Sequence, residues 1–110
     1  MVTKALITAE EFMSLPDNGQ RWELIEGEAC PMSAAGAEHG RAGMRLGSRL
    51  LAHSEQHQLG EVFNADTGFR LRRDPDTVRL PDVSFVSRER WNGVQDREAY
   101  FEGPPDLAVE

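Results

Sequence analysis

Apolar and polar positions change period several times along the chain, and each change marks an element. Thr8-Ala9-Glu10-Glu11 has the form of a capping box, in which the Thr side chain accepts from the third helical amide while Glu11 reaches back to the Thr amide. A short helix through Phe12, Met13 and Leu15 follows and ends before Pro16, whose ring disfavours helical geometry in the residue ahead of it. Asp17-Asn18-Gly19 is a turn, and residues 21–32 read as a β-hairpin turning at Glu26-Gly27. Residues 38–58 form the longest helical stretch, with Gly43, Met44, Leu46, Gly47, Leu50 and Leu51 on one arc and Arg41, Arg45, Ser48, Arg49, Glu55 and Gln56 on the other. The apolar arc is expected to lie on a sheet, its two glycines allowing close approach to strand backbones.

Strands are expected over residues 61–65, 68–72 and 80–87, with turns at Asp66-Thr67-Gly68 and Asp74-Pro75-Asp76. Residues 88–104 read as a long loop with one helical turn, and Gly103-Pro104-Pro105 leads into a last strand from Leu107 to Glu110. The order of helix, hairpin, long helix and strands predicts one α/β or α+β domain over residues 1–110. A strand ending on Val109-Glu110 leaves an open sheet edge, so the chain is expected to be the front portion of a domain truncated on its C-terminal side.

Composition narrows the function classes. The net charge of −7 argues against a protein that coats nucleic acid by general attraction, but a metal-dependent nuclease needs carboxylates to hold its cation and only a local basic rim for its substrate. Cys30 is the one cysteine, which excludes an internal disulfide or a cysteine zinc cluster and leaves it as a small half-buried hydrophobe. No stretch is apolar enough to span a membrane, and Met1-Val2-Thr3-Lys4 does not open a signal-peptide core, so a cytoplasmic protein is expected.

Two segments carry candidate chemistry. Pro81-Asp82-Val83-Ser84-Phe85-Val86 and Pro105-Asp106-Leu107-Ala108-Val109-Glu110 each place an acid at one end of an apolar strand. If the strands are neighbours, Asp82 and Glu110 meet and offer the oxygen donors that Mg²⁺ or Mn²⁺ prefers. Asp106, directly after two prolines, suits a turn or cap better than a ligand. Arg41, Arg45 and Arg49, four apart on the long helix, form a stripe that could grip phosphates or simply face water, and Arg70 is a further candidate. His53 and His57 have zinc-ligand spacing without a local third ligand, and His39 stands at the start of the helix. There is no nucleophile elbow, phosphate loop or dinucleotide fingerprint.

Six blocks, taken in order, extend this picture: Arg21-Trp22-Glu23-Leu24-Ile25-Glu26-Gly27-Glu28, Glu38-His39-Gly40-Arg41, Leu59-Gly60-Glu61-Val62-Phe63, Thr67-Gly68-Phe69-Arg70-Leu71, Arg79 to Ser87, and Gly103 to Glu110. Together they resemble the Uma-type family of restriction endonucleases, within the PD-(D/E)XK nuclease superfamily. The resemblance implies a mixed central sheet flanked by helices, and hydrolysis of DNA phosphodiesters with Mg²⁺ or Mn²⁺. By position it makes Asp82 and Glu110 the metal ligands and gives the early catalytic acid to Glu23 or Glu26. Glu26 alternates onto the face of Trp22 and Leu24 and Glu23 onto that of Ile25, so the buried face of the hairpin decides between them; Glu26 is carried forward as the candidate.

The motif's lysine, which would orient the attacking water and stabilise transition-state charge, has no counterpart after Glu110. The 110 residues are therefore expected to be inactive as a nuclease. The alternative is a non-catalytic binding or assembly module that keeps the fold and pairs through its open edge, and a homodimer is expected on the same ground.

Overall fold

A computed structural model describes residues 5–110; Met1-Val2-Thr3-Lys4, the stretch read for a signal, lies outside the described residues. The elements are α1 (Ala9–Met13), β1 (Trp22–Ile25), β2 (Glu28–Pro31), α2 (Ala37–His57), β3 (Gly60–Phe63), β4 (Phe69–Arg72), β5 (Thr77–Arg79), β6 (Val83–Ser87), α3 (Arg88–Asn92), β7 (Phe101–Glu102) and β8 (Leu107–Val109). The fold is α+β. Its strands divide into a five-stranded sheet ordered β2-β1-β5-β4-β7 and a three-stranded sheet ordered β3-β6-β8, where one central sheet had been expected. The larger sheet is mixed, because β7 runs parallel to β4 while the other pairs are antiparallel.

Local chemistry explains most of the element boundaries. Thr8 and Glu11 form the expected capping box, with Glu11 N–H donating to Thr8 Oγ1 at 3.1 Å and Thr8 N–H to Glu11 Oε1 at 3.0 Å. The first hairpin turns on Glu26 (φ 48°) and Gly27 (φ 81°), two left-handed residues whose twist matches that of the flanking strands. The Gly27 conformation admits no side chain, since a Cβ there would lie 2.8 Å from that of Leu6.

Two apolar clusters hold the layers. Ala9, Phe12, Leu24 and Val78 pack α1 against β1 and β5, with Trp22, Leu80 and Tyr100 around them. Phe69 and Phe101 from the larger sheet meet Val86 from the smaller one, with Phe63 and Trp91 alongside, so this second cluster is where the two sheets join. Phe63 sits edge-on to both Phe69 and Trp91, an arrangement that aligns ring edges with ring faces.

Two sequence expectations need correction. The strand foreseen over 80–87 is shorter, since β6 begins only after Pro81, which has no N–H to give a ladder, and it is preceded by a strand that was not foreseen, Thr77–Arg79, which folds back on β4 as a tight hairpin. The apolar arc of α2 is largely uncovered, because α2 packs mainly on β3 and β6; Met44 is 72% exposed, and Leu46 and Leu51 are exposed as well.

The α2 glycines do not mark a tight approach either, since a Cβ at Gly43 meets nothing within 4 Å and one at Gly47 makes ordinary contact with Val83 at 3.7 Å. Gly43→Ala is accordingly expected to raise stability by about 0.5–1 kcal/mol, read as a higher midpoint in urea with an unchanged slope.

Candidate active site

The antiparallel register of β6 and β8 pairs Val83 with Val109, Ser84 with Ala108 and Phe85 with Leu107. One step further along this ladder stand Asp82 and Glu110, on facing strand ends, and the Asp82 N–H donates to the Val109 carbonyl at 3.0 Å. The adjacency conjectured from the two Pro-Asp segments is therefore present, and the two acids share one end of the small sheet.

A third acid arrives from the other sheet. Glu23 on β1 accepts the Leu80 N–H at 2.8 Å and pairs with Arg79 Nε at 3.2 Å through the same oxygen, and its side chain is only 15% exposed. Its charge reaches Glu110, whose carboxyl is pushed above the ordinary glutamate range first by loss of water on its inner side, then by Asp82 and Glu23, against an opposing pull from Arg79. An acid raised in this way weakens the fold at neutral pH, and protonation or a bound cation relieves it. Of the two early acids, Glu23 is thus the one that stands near Asp82 and Glu110.

Glu26 is placed elsewhere. Its backbone is left-handed in the turn, which takes it out of the strand's alternation, and its side chain is 66% exposed and pairs with Arg72 at 3.6 Å. The clue was in the hairpin itself: a residue that makes the turn no longer belongs to either face of the strand.

A groove of about 400 Å³ adjoins Asp82, between α2 and the small sheet, lined by His39, Gly43, Gly47, Phe63, Asp82 and Val83 among others. His39, in the first turn of α2, brings Nε2 to 3.2 Å from Asp82 Oδ1. Sequence reasoning had singled out His39 without connecting it to Asp82, because nothing local links positions so far apart in the chain.

Of the basic candidates, Arg41, Arg45 and Arg49 are exposed along α2, Arg41 being paired with Glu38 at 2.8 Å. Arg70 is not a surface group. Its side chain is 9% exposed and held by Glu10 at 2.8 Å, Asp76 at 3.2 Å and Glu102 at 3.5 Å, which leaves it no freedom to meet a phosphate. Asp106 ties strand to helix: it accepts the Ser87 N–H at 2.7 Å and pairs with Arg90 at 3.2 Å, and the Ser87 N–H holds its carboxyl below the usual range. Cys30 is half-buried.

Among the described residues no three His, Cys, Asp or Glu side chains stand together as a ready-made metal cage. The residues still fit a hard divalent cation in kind, because Mg²⁺ is commonly held by one or two carboxylates and fills its remaining positions with water and phosphate oxygens.

Comparison with known families matches residues 9–110 to Uma2, described as "Putative restriction endonuclease". The chain belongs to this family. Among solved structures, a protein described as a putative nuclease belonging to DUF820, from Anabaena variabilis, superposes with a TM-score of 0.72 at 19% identity over 94% of the present chain. The Uma2 chain spans 57% of that neighbour's length. No curated protein matches it. At this identity the neighbour supports the fold, and the family match supplies the nuclease connection. No helix among the described residues is long and apolar enough to cross a membrane.

Proposed function

We propose that these residues form the front portion of a cytoplasmic, metal-dependent DNA endonuclease domain, with Asp82 and Glu110 as cation ligands and Glu23 as the supporting acid. The observation that carries this reading is the β6–β8 register, which sets the two acids on neighbouring strand ends inside a family match that covers both. A Mg²⁺ or Mn²⁺ ion bound there would neutralise charge at the scissile phosphate and lower the pKa of an attacking water.

The chain's own groups do the rest. Asp82 is fixed by its backbone bond to Val109, so its carboxylate starts from a rigid strand end. Glu23, anchored by Leu80 and Arg79, keeps negative potential on the inner side of the site, and Arg79 tempers it. Arg41, Arg45 and Arg49 supply a local basic rim on the helix that also carries His39. Asp82 and Glu110 would bind the ion, but proton transfer needs a further group, and the sequence has a single lysine, Lys4, outside the described residues.

The test is Mg²⁺-dependent nicking of supercoiled plasmid. The 110 residues by themselves are expected to leave the plasmid intact. Nicking that disappears in Asp82→Ala would show that the acids suffice without the lysine.

A second reading, a non-catalytic module that pairs through a sheet edge, has β8 in its favour, the outer strand of its sheet with Leu107 exposed. Sedimentation as a dimer that is lost when Leu107 is replaced by Lys would favour it. The single chain lends the expected homodimer no other support.

A further inference from the structure

We infer that His39 is a nitrogen ligand of the same cation site, forming with Asp82 a preset pair of neighbouring donors that inclines the site toward ions accepting imidazole, such as Mn²⁺ or Co²⁺, over Mg²⁺. The inference rests on the reading of Asp82 as a metal ligand. His39 Nε2 and Asp82 Oδ1 are 3.2 Å apart. That is an ordinary hydrogen-bond and ion-pair separation. It is close to the about 3.0 Å that separates adjacent ligands of an octahedral ion with bonds near 2.1 Å. Both groups border the groove of about 400 Å³, so there is room beside them for an ion, its waters and a phosphate oxygen.

Both donors are also mounted on regular structure. His39 is in the first turn of a 21-residue helix and Asp82 immediately precedes a strand bonded on both sides. No loop has to close to bring them together. A mixed nitrogen and oxygen set differs in kind from the two carboxylates proposed above: imidazole is a poor partner for Mg²⁺ and a good one for later divalent ions. His53 and His57, with ring centroids 4.6 Å apart further along α2, are a separate histidine pair that could take up the same ions.

Mn²⁺ is the probe that separates these possibilities, with the 110-residue chain carrying His53→Ala and His57→Ala as the parent. Electron spin-echo spectroscopy of the Mn²⁺-loaded parent is expected to show modulation from a directly bound nitrogen. That signal should vanish in His39→Ala and in His39→Gln, while Mn²⁺ affinity by calorimetry falls about tenfold in His39→Ala and Mg²⁺ affinity stays within about twofold. Circular dichroism of the two variants should match the parent, since His39 is exposed.

Mn²⁺ binding that is abolished by Asp82→Ala but shows no nitrogen modulation, or modulation unaltered in His39→Ala, overturns the role of His39 and leaves the carboxylate site standing. Mn²⁺ binding that is indifferent to Asp82→Ala overturns both.

Discussion

Arg70→Ala is expected to destabilise the chain by about 3 kcal/mol or more, the range for removing one partner of a buried ion pair. Arg70 comes from β4 and Asp76 from the turn before β5, and their side chains are 9% and 6% exposed. With the guanidinium gone, the Asp76 carboxylate stays buried, with hydrogen bonds from the Ala9 N–H at 2.8 Å and the Asp74 N–H at 3.2 Å and the more distant charge of Arg73. The loss also spreads, because the Ala9 bond anchors the first residue of α1 and Arg70 reaches Glu10 on the same helix. Arg70→Lys should recover only part of the loss, since an ammonium cannot serve Asp76 and Glu10 with the geometry of a planar fork. Chemical denaturation of the three proteins measures the difference directly.

The same cluster sets the acid limb of stability. The Asp76 carboxyl is held below its ordinary value, first by the Ala9 N–H, with Asp74, Arg70 and Arg73 adding to the effect against the opposing pull of burial. A depressed folded-state pKa contributes stability that is complete above the unfolded value, about 3.9, and is lost as pH falls through the folded one. Stability should therefore decline below about pH 4, and Asp76→Asn should start lower and decline less steeply. An unchanged acid limb in Asp76→Asn would remove Asp76 from this role.

Gly60→Ala is the second large effect, about 3 kcal/mol or more, and it acts through backbone. Gly60 opens β3 at φ 159° opposite Ser87, and a Cβ there would stand 2.1 Å from the Val86 carbonyl oxygen and 2.9 Å from the Arg88 nitrogen. Neither is a side-chain tip that can swing aside. The strand must retreat, which strains the Ser54 hydroxyl bond to the Gly60 carbonyl at 2.8 Å and loosens β6, the strand that carries Asp82. Gly60→Ala should thus lower both the denaturation midpoint and the divalent-cation affinity, whereas Gly43→Ala raises the first.

Periodicity made the longer elements legible. α2 was expected over 38–58 and runs Ala37–His57, and the hairpin turns at Glu26-Gly27 as read, because a two-residue turn has few sequence solutions. β5 escaped because three residues are too few to show alternation, although Val78 is fully buried. The α2 arc shows the limit of amphipathicity, which reports that a face is apolar and not that something covers it.

Within the site, Asp82 and Glu110 were legible as ends of two similar strand segments, and their register needed only that the strands be neighbours. Glu23 was not settled by alternation, since its place depends on Arg79, at the end of a strand that had not been foreseen, and on Leu80 just after it. Arg70 looked like a surface cation because its carboxylate partners Glu10, Asp76 and Glu102 come from three separate segments. Long-range ion pairs leave no mark on local sequence.

In the proposed cation site Asp82 and Glu110 stand together, with Glu23 behind them and Glu26 outside. Calorimetric titration of the chain with Mg²⁺ tests it most directly. Asp82→Ala and Glu110→Gln should each weaken binding by about tenfold or more, Glu23→Gln by less, and Glu26→Gln not at all. Equal Mg²⁺ affinity in the native chain and in Asp82→Ala would rule this site out.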